Sequence, residues 1–142
     1  MLDYICFERI WQDDTFFQLG IECASRSIIA RSCSYTSNES IAVLISKLNA
    51  FLDGTTSSFY WINGEKGNLT TPCFSLEFCK KDNKGHIQVE VYLELDDGGP
   101  LETHNCCFYV NTEFGALSSF LEDVTELMKP QIGKKVFLNK QV

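Results

Sequence analysis

Histidine, proline and positive charge are all scarce in this chain. Its 142 residues include two His, three Pro and two Met, and twelve Lys and Arg stand against nineteen Asp and Glu. The formal net charge is -7 and the pI lies near 4.7. Each shortage excludes something. Phosphate backbones are gripped mainly by Lys and Arg, so nucleic acid is not an expected partner. The acidic balance favours solubility and would attract a basic one. Two histidines leave little material for general acid–base catalysis. No apolar run approaches the ~20 residues of a membrane helix, so no membrane association is expected. Glycine is clustered only at Asp97-Gly98-Gly99-Pro100, which lacks the Lys and the following helix of a phosphate loop and reads as a turn. The Gly-x-Ser-x-Gly pattern of a nucleophile elbow is absent.

Cysteine, by contrast, is plentiful. Seven Cys form an odd set without regular spacing. Met1 to Trp11 carries Asp3, Glu8 and Arg9 among its apolar residues, unlike a signal peptide. The expectation is a cytoplasmic chain with reduced thiols, most of them small buried apolar groups.

The stretch Lys84 to Leu95 has the sharpest pattern. Ile87, Val89, Val91, Leu93 and Leu95 alternate with Gln88, Glu90, Tyr92 and Glu94. Strand side chains alternate between faces, so this segment has one apolar and one wet face, as in an antiparallel sheet covered on one side. Pro72 opens a preceding strand with Phe74, Leu76 and Phe78 on one face, and Leu101 to Asn111 returns as another with Cys106, Phe108 and Val110 inward. Further strands are expected over Leu2–Trp11, with Ile5, Phe7 and Trp11 on one face, and around Phe17 to Cys23 and Ile28 to Thr36. A short aromatic one, Phe59 to Ile62, is closed by the hairpin dipeptide Asn63-Gly64.

Two segments carry helical spacing instead. Ile41, Leu44, Ile45, Leu48, Phe51 and Leu52 follow a capping Ser or Asn within 37–40 and end before Gly54. Phe114, Leu117, Phe120, Leu121, Val124, Leu127 and Met128 form a second stripe, with Thr112 as its expected cap and Pro130 as its end. Residues 131–142 add a strand through Val136-Phe137-Leu138 or remain a loose tail. The whole reads as one α+β domain over 1–142. It is expected to be a two-layer structure in the order βββ-α-ββββ-α, with one antiparallel sheet of six to seven strands packed against two amphipathic helices.

Chemistry-bearing residues are few. His104, Cys106 and Cys107 lie close in sequence, and Cys73, Cys79 and His86 lie on neighbouring strands, but Cys106 and Cys107 must point to opposite faces. Buried thiols and a solvated histidine account for the same residues, so neither metal nor other cofactor is expected. A thiol or metal-dependent enzyme using His104, with Glu102 as orienter, is the alternative to a non-enzymatic domain. A homodimeric scaffold is a third reading, and the oligomeric state stays open between monomer and homodimer. The acidic residues form two groups: Glu90, Glu94, Asp96, Asp97 and Glu102 around one strand and loop, and Glu122, Asp123 and Glu126 on the last helix. Tyr92 between Glu90 and Glu94 adds an aromatic anchor of the kind favoured in interfaces. Glu90, Tyr92, Glu94, Asp96 and Asp97 are therefore the candidate partner-binding residues.

The helix 40–52, then Phe59-Tyr60-Trp61, Thr71-Pro72-Cys73-Phe74-Ser75-Leu76-Glu77-Phe78, Gly85-His86-Ile87-Gln88-Val89-Glu90-Val91, and Asn111-Thr112-Glu113-Phe114 with Leu117 and Phe120, resemble the layout of small bacterial WapI-type immunity-like domains. The likeness covers roughly residues 37–129 and rests on pattern and order. It implies a cytoplasmic, non-enzymatic protein that neutralises a toxin domain by binding it, with no catalytic residues to carry over. A basic toxin occluded by an acidic face is the expected partner.

Overall fold

A computed structural model describes residues 3–68, 71–95 and 104–139. Among these, the strands are β1 Tyr4–Gln12, β2 Phe17–Ser25, β3 Ile28–Thr36, β4 Ser58–Asn63, β5 Phe74–Lys80, β6 His86–Leu95, β7 His104–Glu113 and β8 Lys135–Leu138. Helix α1 spans Asn38–Leu52 and α2 spans Phe114–Glu126. The order is the expected one with β8 added, so the segment around Val136 takes the strand alternative.

The sheet is not single. The strands form two four-stranded antiparallel sheets, β3-β2-β1-β8 and β4-β5-β6-β7. Dimensions explain the correction. A seven-stranded sheet would be roughly 30 Å wide at about 4.8 Å per strand, whereas two helices side by side cover only about 20 Å. Splitting the strands lets the two sheets share the covering of each other's apolar faces with the helices. One core results, and it draws buried side chains from both sheets and both helices. Phe7 of β1 meets Phe74 of β5 edge-on with ring centroids 5.6 Å apart, and Phe120 of α2 at 5.8 Å.

On β6, Ile87, Val89, Val91 and Leu93 are buried while Gln88, Glu90, Tyr92 and Glu94 are half-buried on the opposite face. Phe74, Leu76 and Phe78 of β5 face inward as their alternation requires, as do Phe108 and Val110 of β7. In α1, Ser37 accepts a hydrogen bond from the Ser40 amide, and Ile41, Leu44, Leu48 and Phe51 are fully buried. Gly54, with φ +85°, follows the helix end in the left-handed region.

Local corrections cluster where one residue shifts the pattern. A bulge between Arg9 and Trp11 shifts the alternation, so Trp11 leaves the face of Ile5 and Phe7 and is 46% exposed, while Arg9 keeps their phase and faces inward. Arg9 is 5% exposed. Its guanidinium donates to Gln12, to Asn38 and to the Leu127 carbonyl at the end of α2, and lies 3.7 Å from the Phe17 ring centroid. Burial holds its pKa below the usual value.

Asn63-Gly64 does not make a two-residue hairpin, because β4 and β5 are separated by residues 64–73. Asn63 is buried instead, donating to the Ser34 hydroxyl and the Tyr35 carbonyl and accepting from Thr36 and Ser40. Thr112 does not cap α2. It remains in β7, and its hydroxyl donates to Asn139, leaving Glu113 at the cap position without a side-chain bond. Phe114 leaves the expected apolar stripe and is 44% exposed, because the helix turns it away from the core as the chain exits the sheet.

Candidate functional site

Register decides which polar side chains meet. On the outer face of the β4-β5-β6-β7 sheet, Tyr60 lies opposite Glu77, Glu77 opposite Glu90, and Glu90 opposite Tyr109. The next row is Ile62, Ser75, Tyr92 and Cys107. Tyr60, Ile62 and Tyr109 are exposed at 39%, 37% and 47%. The result is a strip of aromatic and apolar side chains with two opposed carboxylates at its centre. The Tyr109 hydroxyl donates to Glu90 at 3.2 Å. Among the described residues, no Lys, Arg or His forms an ion pair with Glu77 or Glu90.

The negative potential registers on neighbouring groups. The Tyr109 phenol is pushed above its ordinary value, first by its hydrogen bond to Glu90 and then by that carboxylate's charge. Burial raises the Cys79 and Cys107 thiols, and nearby glutamate, Glu77 or Glu90, raises both further.

Glu94 has a different occupation. Its carboxylate accepts from the Gly67 amide at 2.9 Å, the Cys73 amide at 2.8 Å and the Tyr92 hydroxyl at 3.0 Å. It pins the long β4–β5 loop to the end of β6. Lys66 of that loop sits with its ammonium 4.5 Å from the Tyr92 ring centroid. Burial, with the Glu94 bond adding to it, pushes the Tyr92 phenol up to about 12. Of the sequence-derived candidates, the fold therefore brings Glu90, Tyr92 and Glu94 onto one outer face, but Glu94 is spent on the loop. Asp96, Asp97 and Glu102 lie outside the described residues. Tyr60, Glu77 and Tyr109 join the face only through strand register. Alternation marks Glu77 as wet, but nothing in the linear pattern says that it faces Glu90.

On α2, Glu122 and Asp123 are exposed, while Glu126 pairs with Lys129 at 2.9 Å and with Lys134 at 3.6 Å.

The histidine and thiol chemistry is dispersed. Among the described residues no three His, Cys, Asp or Glu side chains converge as a metal would require. His104 is exposed at the first position of β7, and Cys73 is buried while Cys107 is exposed. Burial pushes the Cys6 and Cys73 thiols up to about 11 and raises Cys23 and Cys106 as well. A raised thiol is mostly protonated at neutral pH and is a poor nucleophile.

An acid–base pair spans the β5–β6 turn. Asp82 bonds His86 Nδ1 at 2.6 Å and accepts from the Lys84 amide at 2.7 Å, which holds its carboxyl below the usual range. His86 borders an open cleft of about 300 Å³ with Lys81, Asn111, Thr112, Glu113, Ala116 and Asn139. A carboxylate-oriented imidazole can serve as a base, but these lining residues include no Ser or Cys. The only trace in the sequence is an Asp four residues before a His across a turn.

No helix among the described residues is long and apolar enough to cross a membrane. Comparison with protein-family models, with curated proteins and with solved structures finds no match for this chain.

Proposed function

We propose that this chain is a non-enzymatic protein-binding domain that captures a basic partner on the outer face of its second sheet. The observation that carries the reading is the row Tyr60–Glu77–Glu90–Tyr109. Like charges placed directly opposite on a sheet are destabilising, and a cationic partner would relieve the repulsion. Exposed tyrosines on either side supply the low-entropy aromatic contacts that interfaces favour. The net charge of -7 would steer a basic partner toward the encounter.

The resemblance to WapI-type immunity-like domains makes the partner a toxin domain, neutralised in the cytoplasm by occlusion of its working surface. That step rests on the residue pattern alone.

The test is co-expression with the C-terminal domain of any secreted protein encoded immediately upstream. The expected result is protection of the cell and a complex whose association rate falls steeply with salt. Reversing charge in E77K/E90K should slow association about tenfold or more at low ionic strength. An unchanged on-rate, in a variant that melts like the parent, counts against this face.

A further inference from the structure

The two sheets carry the same side-chain arrangement in two states of completion. On the first sheet, Glu22 accepts hydrogen bonds from the Tyr4 hydroxyl and from Nε of Arg31, its partner across the strand pair. Together they form a tyrosine, glutamate and guanidinium cluster on a solvent-facing sheet surface. On the second sheet, Glu90 accepts from the Tyr109 hydroxyl, but its neighbour across the strand is the carboxylate of Glu77. The place that Arg31 fills beside Glu22 has no counterpart beside Glu90.

We infer that Glu77, Glu90, Tyr60 and Tyr109 form a seat for an arginine side chain presented by the protein partner. The inference rests on the docking face proposed above and names the chemistry that occupies it. A guanidinium is planar and carries five donors in a fixed fork, so it can bond two carboxylates at once. Its faces stack on tyrosine rings, and both ends of the row supply one. An ammonium is a more strongly hydrated point charge and gains less from such a slot. The face already holds a cation against an aromatic ring in the adjoining row, where the Lys66 ammonium lies over Tyr92. The opposed carboxylates lie one row from that contact, on the two central strands of the sheet.

The experiment compares two blocked tetrapeptides of equal charge, tetra-arginine and tetra-lysine, titrated into the full chain and followed by backbone and tyrosine-ring NMR shifts. The expected result is saturable shifts centred on Glu77, Glu90 and Tyr109, with tetra-arginine binding about fivefold or more tighter than tetra-lysine. E77Q/E90Q should weaken tetra-arginine about tenfold, while E122Q/D123N on α2 leaves it unchanged. Thermal melting of each variant establishes that its fold persists. Equal affinity for the two peptides at this face overturns the arginine seat and leaves the acidic docking face standing. Shifts from neither peptide, or shifts that map elsewhere, overturn both.

Discussion

The outer faces of the two sheets make the instructive comparison. On the first, Glu22 lies opposite Arg31 and pairs with it, and Glu8 lies opposite Lys135 in register. On the second, Glu77 meets Glu90. Both faces belong to antiparallel sheets in the same chain, closed over the same core. Sheet-forming demands therefore do not account for the difference. A carboxylate bonded to a guanidinium on its own sheet has little left to offer a partner, whereas like charges opposed on a strand pair are destabilising, and a bound cation would offset that.

The largest expected effect separates the carboxylate that holds the loop to the second sheet from the two that face each other across its strands. Glu94 accepts two backbone amides and a phenol. Glu94→Gln leaves those donors a weaker acceptor with one oxygen fewer, and should cost about 2 kcal/mol in urea unfolding. Hydrogen exchange at Gly67 and Cys73 should accelerate with it. If stability is unchanged, Glu94 is as free as its neighbours and returns to the candidate binding set.

A smaller loss is expected on the first sheet. Glu22→Gln weakens the bonds to Tyr4 and Arg31 and should cost about 1 kcal/mol, since the cluster is only partly screened from water. The pH dependence has a definite sign. The Tyr4 hydrogen bond, with the Arg31 contact adding to it, holds the Glu22 carboxyl below its ordinary value. A carboxyl depressed in the fold stabilises it above the unfolded pKa, and the contribution disappears as pH falls through the folded value. The parent should therefore lose stability faster than Glu22→Gln on acidification below about pH 5. Parallel acid limbs in the two proteins would mean that the first sheet gains nothing from its pairing.

How much of this was legible in the sequence depended on the range of the interaction. The alternation of Ile87 to Leu93 and the stripe from Ile41 to Phe51 are local periodicities, and each named its buried face. The element order followed from them. The division into two sheets did not, because it depends on how much width two helices can cover. Nor did the bulge at Ile10, which moves Trp11 off the inner face that Arg9 keeps, or the buried role of Asn63, whose partners lie 23 to 29 residues away. The candidate face was half legible. Alternation alone places Glu90 and Tyr92 on a wet face, but it places Glu94 there on equal terms and does not show that the backbone amides of Gly67 and Cys73 claim it. Glu77, Tyr60 and Tyr109 enter through register, which a single sequence does not print.

The smallest effect is the one that decides the comparison, because its sign is opposite to the rest. The Glu77 side chain makes no hydrogen bond among the described residues and faces Glu90 across the strand. Removing its charge should stabilise the chain by roughly 0.5 kcal/mol at low salt, within the range for like charges opposed on a sheet. The gain should shrink as salt rises, because the screening length falls to about 3 Å at 1 M and the parent recovers the same energy from the solvent. A stabilising substitution that weakens partner capture is the behaviour of a site held in tension for binding. If Glu77→Gln is destabilising at low salt, the opposed carboxylates are not in conflict. The second sheet is then as settled as the first, and the reason for assigning it a cationic partner is gone.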